Sequence, residues 1–271
     1  MKGDFHARVI SNVSIARHVS DISLQLSLDA GEIDPKPGQF AHLSSGGVFL
    51  RRPISIAGFD KKNSRVRIIV RNAGIGSGAI ASLIPGESIR MLIPLGSPYP
   101  LDLFAETAGV KKICLIAGGI GAAPLIFAAD FMREFNEKKG KEIFSVESFI
   151  GFRDKISSFG LEEFERAGTA RPVIGGLVTD ALEKSLAHDR PDAILACGPE
   201  PMLRALQGIR GLNGIPSYVS LEAHMGCGVG ACLVCSCRIA TDSGHTDDDN
   251  VRYRRVCRDG PVFKLSEVVF G

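Results

Sequence analysis

The sequence predicts three consecutive structural units: an all-β domain, an α/β domain with a doubly wound parallel sheet, and a small cysteine-rich domain. Three observations predict them. Residues 1–105 contain short alternating or β-branched runs separated by turn residues. Residues 106–217 alternate apolar runs with helical stretches, which is typical of a parallel sheet covered by helices. Residues 218–271 concentrate cysteines around one glycine-rich loop.

The composition is that of a globular protein with room for two domains and an appendage. The chain has 271 residues, 45% hydrophobic content and a net charge of +2, so no general attraction to nucleic acid or membranes is expected. Its first ten residues lack an apolar signal core, and the apolar stretch 113–129 is short and interrupted by glycines and a proline. We therefore expect a cytoplasmic protein whose seven cysteines serve metal or redox chemistry.

The first unit has the pattern of a barrel or a sandwich. Strands are expected at residues 5–13, 22–28, 39–43, 54–57, 66–70 and 88–93. Two stretches are suited to bind phosphate: Arg52 with the Ser55 hydroxyl, and a glycine turn at residues 74–78 before a helix predicted over residues 79–84. The alternatives are a solvated arginine edge and a simple hairpin. The presence of both phosphate-binding stretches in one domain favours an anion site.

The second unit alternates strands with helices. Strands are predicted at residues 112–117, 143–150, 171–174 and 193–196, and helices at residues 118–139, 161–166, 179–187 and 199–207. The first of these strands is apolar throughout, as expected for a strand buried on both faces. The pattern therefore favours a parallel sheet with helices on both sides.

Two glycine turns follow strands of this sheet. They are Gly118–Gly121 and Cys197-Gly198-Pro199, and both fall at the edge where such sheets bind ligands. Bare backbone N–H groups and a helix N-terminus suit a pyrophosphate there. The alternative for the first turn is a tight bend required by packing. Neither turn has the full G-x-G-x-x-G spacing, so an ordinary Rossmann dehydrogenase is not favoured.

The third unit contains a cysteine motif. Cys227, Cys232 and Cys235 have the C-x4-C-x2-C spacing of plant-type [2Fe–2S] centres, and Cys257 follows after a longer gap. Glycines between them permit positive φ and close approach of the backbone to a cluster. Structural zinc is the alternative, although zinc sites usually pair two short C-x-x-C elements. Cys237 is interpreted as a neighbouring thiol, and as the substitute if Cys257 is not a ligand.

Charged residues follow the motif. The run Asp247-Asp248-Asp249 is expected at a solvated loop tip. Arg252, Arg254 and Arg255 precede Cys257, and our hypothesis is that they flank the cluster and help to dock a redox partner.

The order of these motifs resembles the electron-transfer subunit of type B dihydroorotate dehydrogenase, within the wider ferredoxin–NADP reductase superfamily. The resemblance rests on R-P-I-S, G-x-G-S, G-G-I-G-A-A-P-L, C-G-P-E-P-M-L, the cysteine motif and V-C-R-D-G-P-V-F, and it covers nearly the whole chain. It implies an FAD-binding β-barrel (residues 1–105), an NAD-binding α/β domain (residues 106–217) and a [2Fe–2S] domain (residues 218–271).

The resemblance also implies roles for individual residues. It implies FAD binding by Arg52, Pro53, Ile54, Ser55, Ile69, Val70, Arg71, Gly76 and Ser77. It implies NAD binding by Gly118, Gly119, Gly121, Cys197, Gly198 and Pro199. It implies cluster ligation by Cys227, Cys232, Cys235 and Cys257. No catalytic residue is expected, because the chain would act as an electron relay. Ile54 occupies the place of the superfamily's R-x-Y-S tyrosine, so another group must stack on the flavin.

The implied function is an electron relay in pyrimidine biosynthesis. A separate FMN-containing subunit would oxidise dihydroorotate, and electrons would pass through the [2Fe–2S] cluster and FAD of this chain to NAD+. A heterotetramer with two copies of each subunit is expected. One alternative is the flavin subunit of a sulfide dehydrogenase or of an NADH-dependent ferredoxin:NADP oxidoreductase, in which an aspartate tends to replace Cys227. Another is a non-catalytic module that binds a cluster or zinc. Arg153 follows the second strand of the sheet and could bind the 2′-phosphate of NADP, so the choice between NAD and NADP stays open.

Overall fold

The computed structural model describes residues 2–27, 33–44, 46, 48–107, 109–241 and 251–271. Within these ranges the chain forms a closed six-stranded barrel, a six-stranded sheet flanked by helices, and a three-stranded sheet, which confirms the predicted fold class. The barrel strands are β1 (Gly3–Ala16), β2 (Val19–Leu26), β3 (Phe40–Leu43), β4 (Arg52–Asp60), β5 (Arg65–Arg71) and β6 (Ser88–Leu95).

The barrel follows from side-chain alternation. All its strand pairs are antiparallel, and β6 returns to pair with β1. Ile22, Leu24 and Leu26 on β2 point into the barrel, while the intervening residues lie towards solvent. Helix α1 (Ile75–Ala81) places Ile80 in the same core. The helix predicted over residues 79–84 therefore begins earlier than expected, at the glycine turn itself.

The second domain is built around a parallel sheet. Its parallel strands are β7 (Lys112–Gly118), β8 (Ser145–Phe152), β9 (Thr169–Ile174), β10 (Ala193–Cys197) and β11 (Ser217–Ser220). Its helices are α3 (Ala122–Lys139), α4 (Leu161–Ala167), α5 (Val178–Leu186) and α6 (Glu200–Gln207). A short helix, α2 (Leu101–Glu106), joins it to the barrel and was not predicted.

Strand β7 lies at the centre of this sheet, and its two faces enter different cores. Ile113 and Leu115 join α3 and α4 on one face, whereas Cys114 and Ile116 join α5 and α6 on the other. The sheet is therefore doubly wound, as predicted. No helix in the described ranges is long and apolar enough to span a membrane.

The C-terminal residues form a separate small sheet and also extend the large one. Strands β12 (Ser236–Ala240), β13 (Val251–Arg255) and β15 (Val268–Val269) form the three-stranded sheet. Strand β14 (Val262–Lys264) pairs antiparallel with β11, which itself spans the predicted boundary between residues 217 and 218. The acidic run at residues 247–249 lies outside the described residues.

The barrel and the α/β domain pack directly against each other. Val19, Ala57 and Ile69 on the barrel's outer surface share a hydrophobic cluster with the buried face of α3. The buried Tyr99 hydroxyl donates a hydrogen bond of 2.9 Å to the carbonyl of Ala196 on β10. These contacts fix the barrel against the carboxyl edge of the parallel sheet, where ligands bind in folds of this kind.

Candidate functional site

A cavity of about 250 Å³ lies at the junction of the barrel, the parallel sheet and the C-terminal segment. Strands β4 and β5 form one wall, the start of α3 forms another, and Ser220, Glu222 and Met225 close it from the C-terminal side. Two charged residues, Arg71 and Glu222, line it; burial raises the pKa of Glu222, and Arg71 opposes that rise. The cavity is otherwise largely apolar, as expected for a site that holds a flat organic ring.

Most residues predicted to bind FAD surround this cavity. Pro53, Ile54, Ser55, Ile69, Arg71 and Ser77 line it. Val70 faces the barrel core and is 1% exposed, so only its backbone is available to a ligand. Arg52 lies outside the cavity wall, against the glycine turn, where a Cβ on Gly76 would be 2.3 Å from its Nε. The Ser77 hydroxyl accepts a hydrogen bond from the backbone N–H of Ala73.

A second cavity, of about 690 Å³, lies at the carboxyl edge of the parallel sheet. Gly118, Gly119 and Pro199 contribute to its wall, together with Arg153, which follows β8. Gly175 and Gly176, which follow β9, also line it and were not predicted from the sequence. Their position after a strand is the signal that could have identified them.

The two glycine turns predicted to bind NAD touch each other. A Cβ on Gly121 would lie 2.2 Å from the carbonyl oxygen of Cys197 and 2.8 Å from the nitrogen of Gly198. Gly121 has a φ of −61°, so the requirement for glycine here is the close approach of two backbones. Gly121 and Cys197 line the first cavity, whereas Gly118, Gly119 and Pro199 of the same two turns line the second, so the turns contribute to both cavities. Burial raises the pKa of the Cys197 thiol to about 12, which leaves it neutral.

The first three cysteines of the motif lie on one loop before β12. Backbone N–H groups of Val229, Ala231 and Cys232 point at the Cys227 sulfur, at 3.3–3.4 Å. Burial opposes ionisation of this thiol, but these donors outweigh it and lower the pKa of Cys227 to about 6. Such a ring of donors suits a thiolate that binds metal. Gly228 and Gly230 both have positive φ, as the tight loop requires.

Cys257 joins this group from the other side. Its backbone N–H donates to the Cys235 sulfur at 3.4 Å, and both residues are buried. Burial and the neighbouring Cys235 thiol raise the pKa of Cys257 to about 12. Cys237 instead lies on β12 opposite Arg254. Burial, helped by the neighbouring Cys235 thiol, raises the pKa of Cys237 to about 11.

The four cysteines are arranged as two pairs, Cys227 with Cys232 and Cys235 with Cys257. In the described part of the chain, no three His, Cys, Asp or Glu side chains are close enough together to hold one metal ion. A single tetrahedral zinc would need all four sulfurs around one point. Two separated pairs fit a binuclear iron–sulfur centre, in which each iron takes two protein sulfurs.

Arg255 connects the two sides of the cysteine site. Its guanidinium bonds the Asp259 carboxylate through Nε at 3.1 Å and Nη2 at 3.2 Å, and its Nη1 donates to the carbonyl of Gly230 at 3.2 Å. The Arg255 side chain is therefore engaged in holding the loop, whereas Arg252 and Arg254 are exposed. Only the latter two remain available to the predicted docking surface.

A chain of contacts links the cysteine site to the first cavity. Phe40 lines the cavity and belongs to the same hydrophobic cluster as Cys235 and Cys257. Pro261, four residues after Cys257, also lines the cavity and bridges to Ser97 at the end of the barrel. The chain segment that carries Cys257 therefore also reaches the wall of the cavity.

Comparisons with known proteins agree with this geometry. Residues 222–269 match the iron–sulfur cluster binding domain of dihydroorotate dehydrogenase B. The chain is 37% identical to the dihydroorotate dehydrogenase B (NAD(+)) electron transfer subunit of Bacillus caldolyticus, over 95% of this chain and 96% of that protein. It is 33% identical to the subunit of the same name from Caldanaerobacter subterraneus, over the full length of both.

Solved structures give the same fold. An NADH-dependent reduced ferredoxin-NADP oxidoreductase superposes with a TM-score of 0.80 and 25% identity, covering 97% of this chain and 89% of that one. The ferredoxin-NADP+ reductase of Plasmodium falciparum superposes with a TM-score of 0.64 and 15% identity, covering 81% and 96% of the two chains.

The fold and the paired cysteines define an NAD-linked iron–sulfur flavoprotein oxidoreductase of the ferredoxin–NADP reductase type. Identity over nearly the whole length then narrows the class. The chain belongs to the family of dihydroorotate dehydrogenase B electron transfer subunits.

Proposed function

We propose that this chain passes electrons from a dihydroorotate-oxidising catalytic subunit to NAD+, through a [2Fe–2S] cluster and FAD, in pyrimidine biosynthesis. The observation that carries the proposal is the juxtaposition of two cysteine pairs with an apolar cavity at the barrel–sheet junction. An NAD-linked flavoprotein binds its flavin at such a junction, and a one-electron carrier has to lie close to the flavin to exchange electrons with it.

The cofactors divide the chemistry: the cluster exchanges single electrons, the nicotinamide exchanges a hydride, and the flavin does both. The chain's own residues bind and orient these groups. We assign Cys227 and Cys232 to one iron, and Cys235 and Cys257 to the other. The N–H groups around the Cys227 sulfur would offset the net negative charge that the thiolates and sulfides of a bound cluster bring to the loop.

We assign the flavin ring to the cavity walled by β4 and β5. The Ser55 side chain and the charged Arg71 lie on this wall and can bond the ring's polar edge. We assign the flavin pyrophosphate to Arg52 and the Gly76–Ser77 turn, because the guanidinium already lies against that turn. Ile54 cannot stack as an aromatic ring would, and Phe40, on the neighbouring strand, lines the same cavity.

We assign the nicotinamide nucleotide to the second cavity and to the contact between its two glycine turns. The backbones of Gly118, Gly119 and Pro199 are open to that cavity. Gly121 and Cys197, in the same two turns, line the flavin cavity, which supports a reactive end of the nucleotide close to the flavin. NAD+ is preferred to NADP+ because the named relatives are NAD(+) proteins.

We propose an FMN-containing catalytic subunit as the partner, in a cytoplasmic complex with two copies of each chain. The cysteine loop lies at the surface, with Leu233 and Val234 each about 60% exposed and Cys232 exposed as well. Exposed apolar side chains beside a redox centre suit a protein partner. The name of the relatives, electron transfer subunit, supports a partner in the same way.

Reconstitution tests this proposal. The purified chain is mixed with its candidate FMN subunit, and dihydroorotate-dependent reduction of NAD+ is followed at 340 nm. We expect NADH to form only when both proteins are present. NADH formation by the FMN subunit alone, or none by the mixture, contradicts the proposal.

The rival function has one observation in its favour, the TM-score of 0.80 to an NADH-dependent reduced ferredoxin-NADP oxidoreductase. Copurification from the native host separates the two. An FMN-containing barrel subunit supports the relay to NAD+, whereas an iron–sulfur subunit resembling glutamate synthase supports the rival. A colourless protein with tightly bound zinc contradicts both.

A further inference from the structure

His42 is a buried histidine that lies in none of the sequence motifs described above. It lies on β3, between Ala41 and Leu43, whose side chains face the barrel core. Because side chains alternate along a strand, His42 faces outward, towards the C-terminal domain. His42 is only 1% exposed, so its neighbours cover it almost completely.

The imidazole lies against the cysteine loop. A Cβ on Gly228 would be 2.5 Å from Nδ1 of His42 and 3.1 Å from its Cγ, so the loop needs glycine at this point to accept the ring. The ring also lies beside the backbones of Arg51 and of Cys227, the residue that precedes Gly228. Strand β3 pairs with β4, where Pro53 lies directly opposite His42, so the ring connects the flavin-side strand to the cysteine loop.

The second nitrogen of the ring, Nε2, is buried and has no hydrogen-bond partner among the described residues. A buried polar atom of this kind normally has a partner in the functional protein. His42 is not part of the wall of the flavin cavity, whereas Phe40 and Pro53 are. On this outward face of β3 the ring contacts the cysteine loop at Gly228, so we look for the partner of Nε2 on that side.

We propose that His42 is a positioning residue for the iron–sulfur centre: it supports the Cys227 side of the loop and donates its Nε2–H to a sulfur of the bound cluster. The proposal rests on the cluster assignment above. A hydrogen bond to sulfur stabilises the extra negative charge of the reduced cluster, so it raises the reduction potential. A histidine that only fills space donates no hydrogen bond to the cluster and so would not raise the cluster's reduction potential in this way.

Nitrogen labelling tests the hydrogen bond without any substitution. The holoprotein is produced with ¹⁵N-histidine, reduced anaerobically, and examined by electron–nuclear double resonance on the cluster signal. We expect a ¹⁵N coupling in the wild-type protein, its loss in His42→Leu, and its retention in the matched control His224→Leu, which removes the other histidine near the loop. A cluster signal without any histidine coupling overturns the inference and leaves the proposed function intact.

The reduction potential provides an independent readout. We expect the midpoint potential of the cluster to fall in His42→Leu and to lie nearer the wild-type value in His42→Gln, which keeps an N–H donor. The flavin potential serves as the internal reference and should not move. Equal cluster potentials in wild type and His42→Leu overturn the inference. If His42→Leu fails to assemble a cluster, the labelled wild-type protein alone decides. A wild-type protein with no cluster signal contradicts the proposed function instead.

Discussion

Replacing Gly121 by alanine tests the contact between the two glycine turns. The backbone of Gly121 is ordinary for alanine, with a φ of −61°, so the substitution adds no backbone strain. The new methyl group would nevertheless lie 2.2 Å from the Cys197 carbonyl oxygen and 2.5 Å from its carbon. Both are backbone atoms at the end of a buried strand, so neither can rotate away.

The size of the effect follows from this overlap. Ordinary contact requires the two turns to separate by about 1 Å, and overpacking of this kind costs about 1–3 kcal/mol. A displacement of about 1 Å at a site that positions reactants can lower the rate by as much as about 100-fold. We therefore expect a less stable protein whose flavin is reduced by NADH roughly ten to one hundred times more slowly.

Thermal unfolding and stopped-flow reduction by NADH measure the two consequences. Gly208→Ala is the matched control, because Gly208 has helical dihedral angles and its Cβ would be 3.4 Å from the nearest atom, an ordinary distance. We expect the control to change stability by no more than about 0.5–1 kcal/mol and the rate not at all. A Gly121→Ala protein that melts and reacts like the control refutes the reasoning that the turns form one nucleotide site.

Two further predictions concern the cysteine site. Cys257→Ser should lose most of its iron while Cys237→Ser retains it, as measured by iron content and visible absorbance; the reverse result would identify Cys237 as the fourth ligand. Asp259→Asn should release iron to a chelator several-fold faster than wild type, because it weakens the hold of Arg255 on the cysteine loop. The matched control is Glu200→Gln, which breaks an exposed ion pair with Arg204. Equal rates of iron release in the two variants would show that the Arg255–Asp259 ion pair is dispensable. The Arg255 guanidinium holds the pKa of Asp259 below its usual range. The Arg255–Asp259 ion pair therefore stabilises the loop fully above a pH of about 4, and this stabilisation is lost as the pH falls through the pKa of Asp259 in the folded protein. Over that lower pH range, the difference in iron release between wild type and Asp259→Asn should narrow.

Local patterns in the sequence were sufficient for most of the fold. The apolar run at the start of the second domain became β7, and the strand predicted at residues 193–196 became β10. Boundaries were less accurate where glycine allows either a turn or a helix, as at the start of α1. The short helix α2 has only six residues, too few for a helical period to be recognised.

Long-range contacts could not be inferred from such patterns. The antiparallel pairing of β14 with β11 brings the C-terminal segment back to the large sheet, and no local feature of residues 262–264 indicates it. The same holds for His42 and Gly228, which meet although nearly the whole barrel and α/β domain separate them in sequence. The glycines predicted from motifs were brought together, and Gly175 and Gly176, which follow the strand predicted at residues 171–174, could have been added to them from the sequence.

Anaerobic titration of the purified holoprotein with NADH tests the central claim most directly. Flavin absorbance reports the paired electrons from NADH, and the electron paramagnetic resonance signal of the cluster reports single electrons on iron. The account predicts that NADH bleaches the flavin and then produces the signal of a reduced [2Fe–2S] cluster in the same chain. A flavin that NADH reduces while the iron stays oxidised, or a protein with no flavin at all, would contradict it.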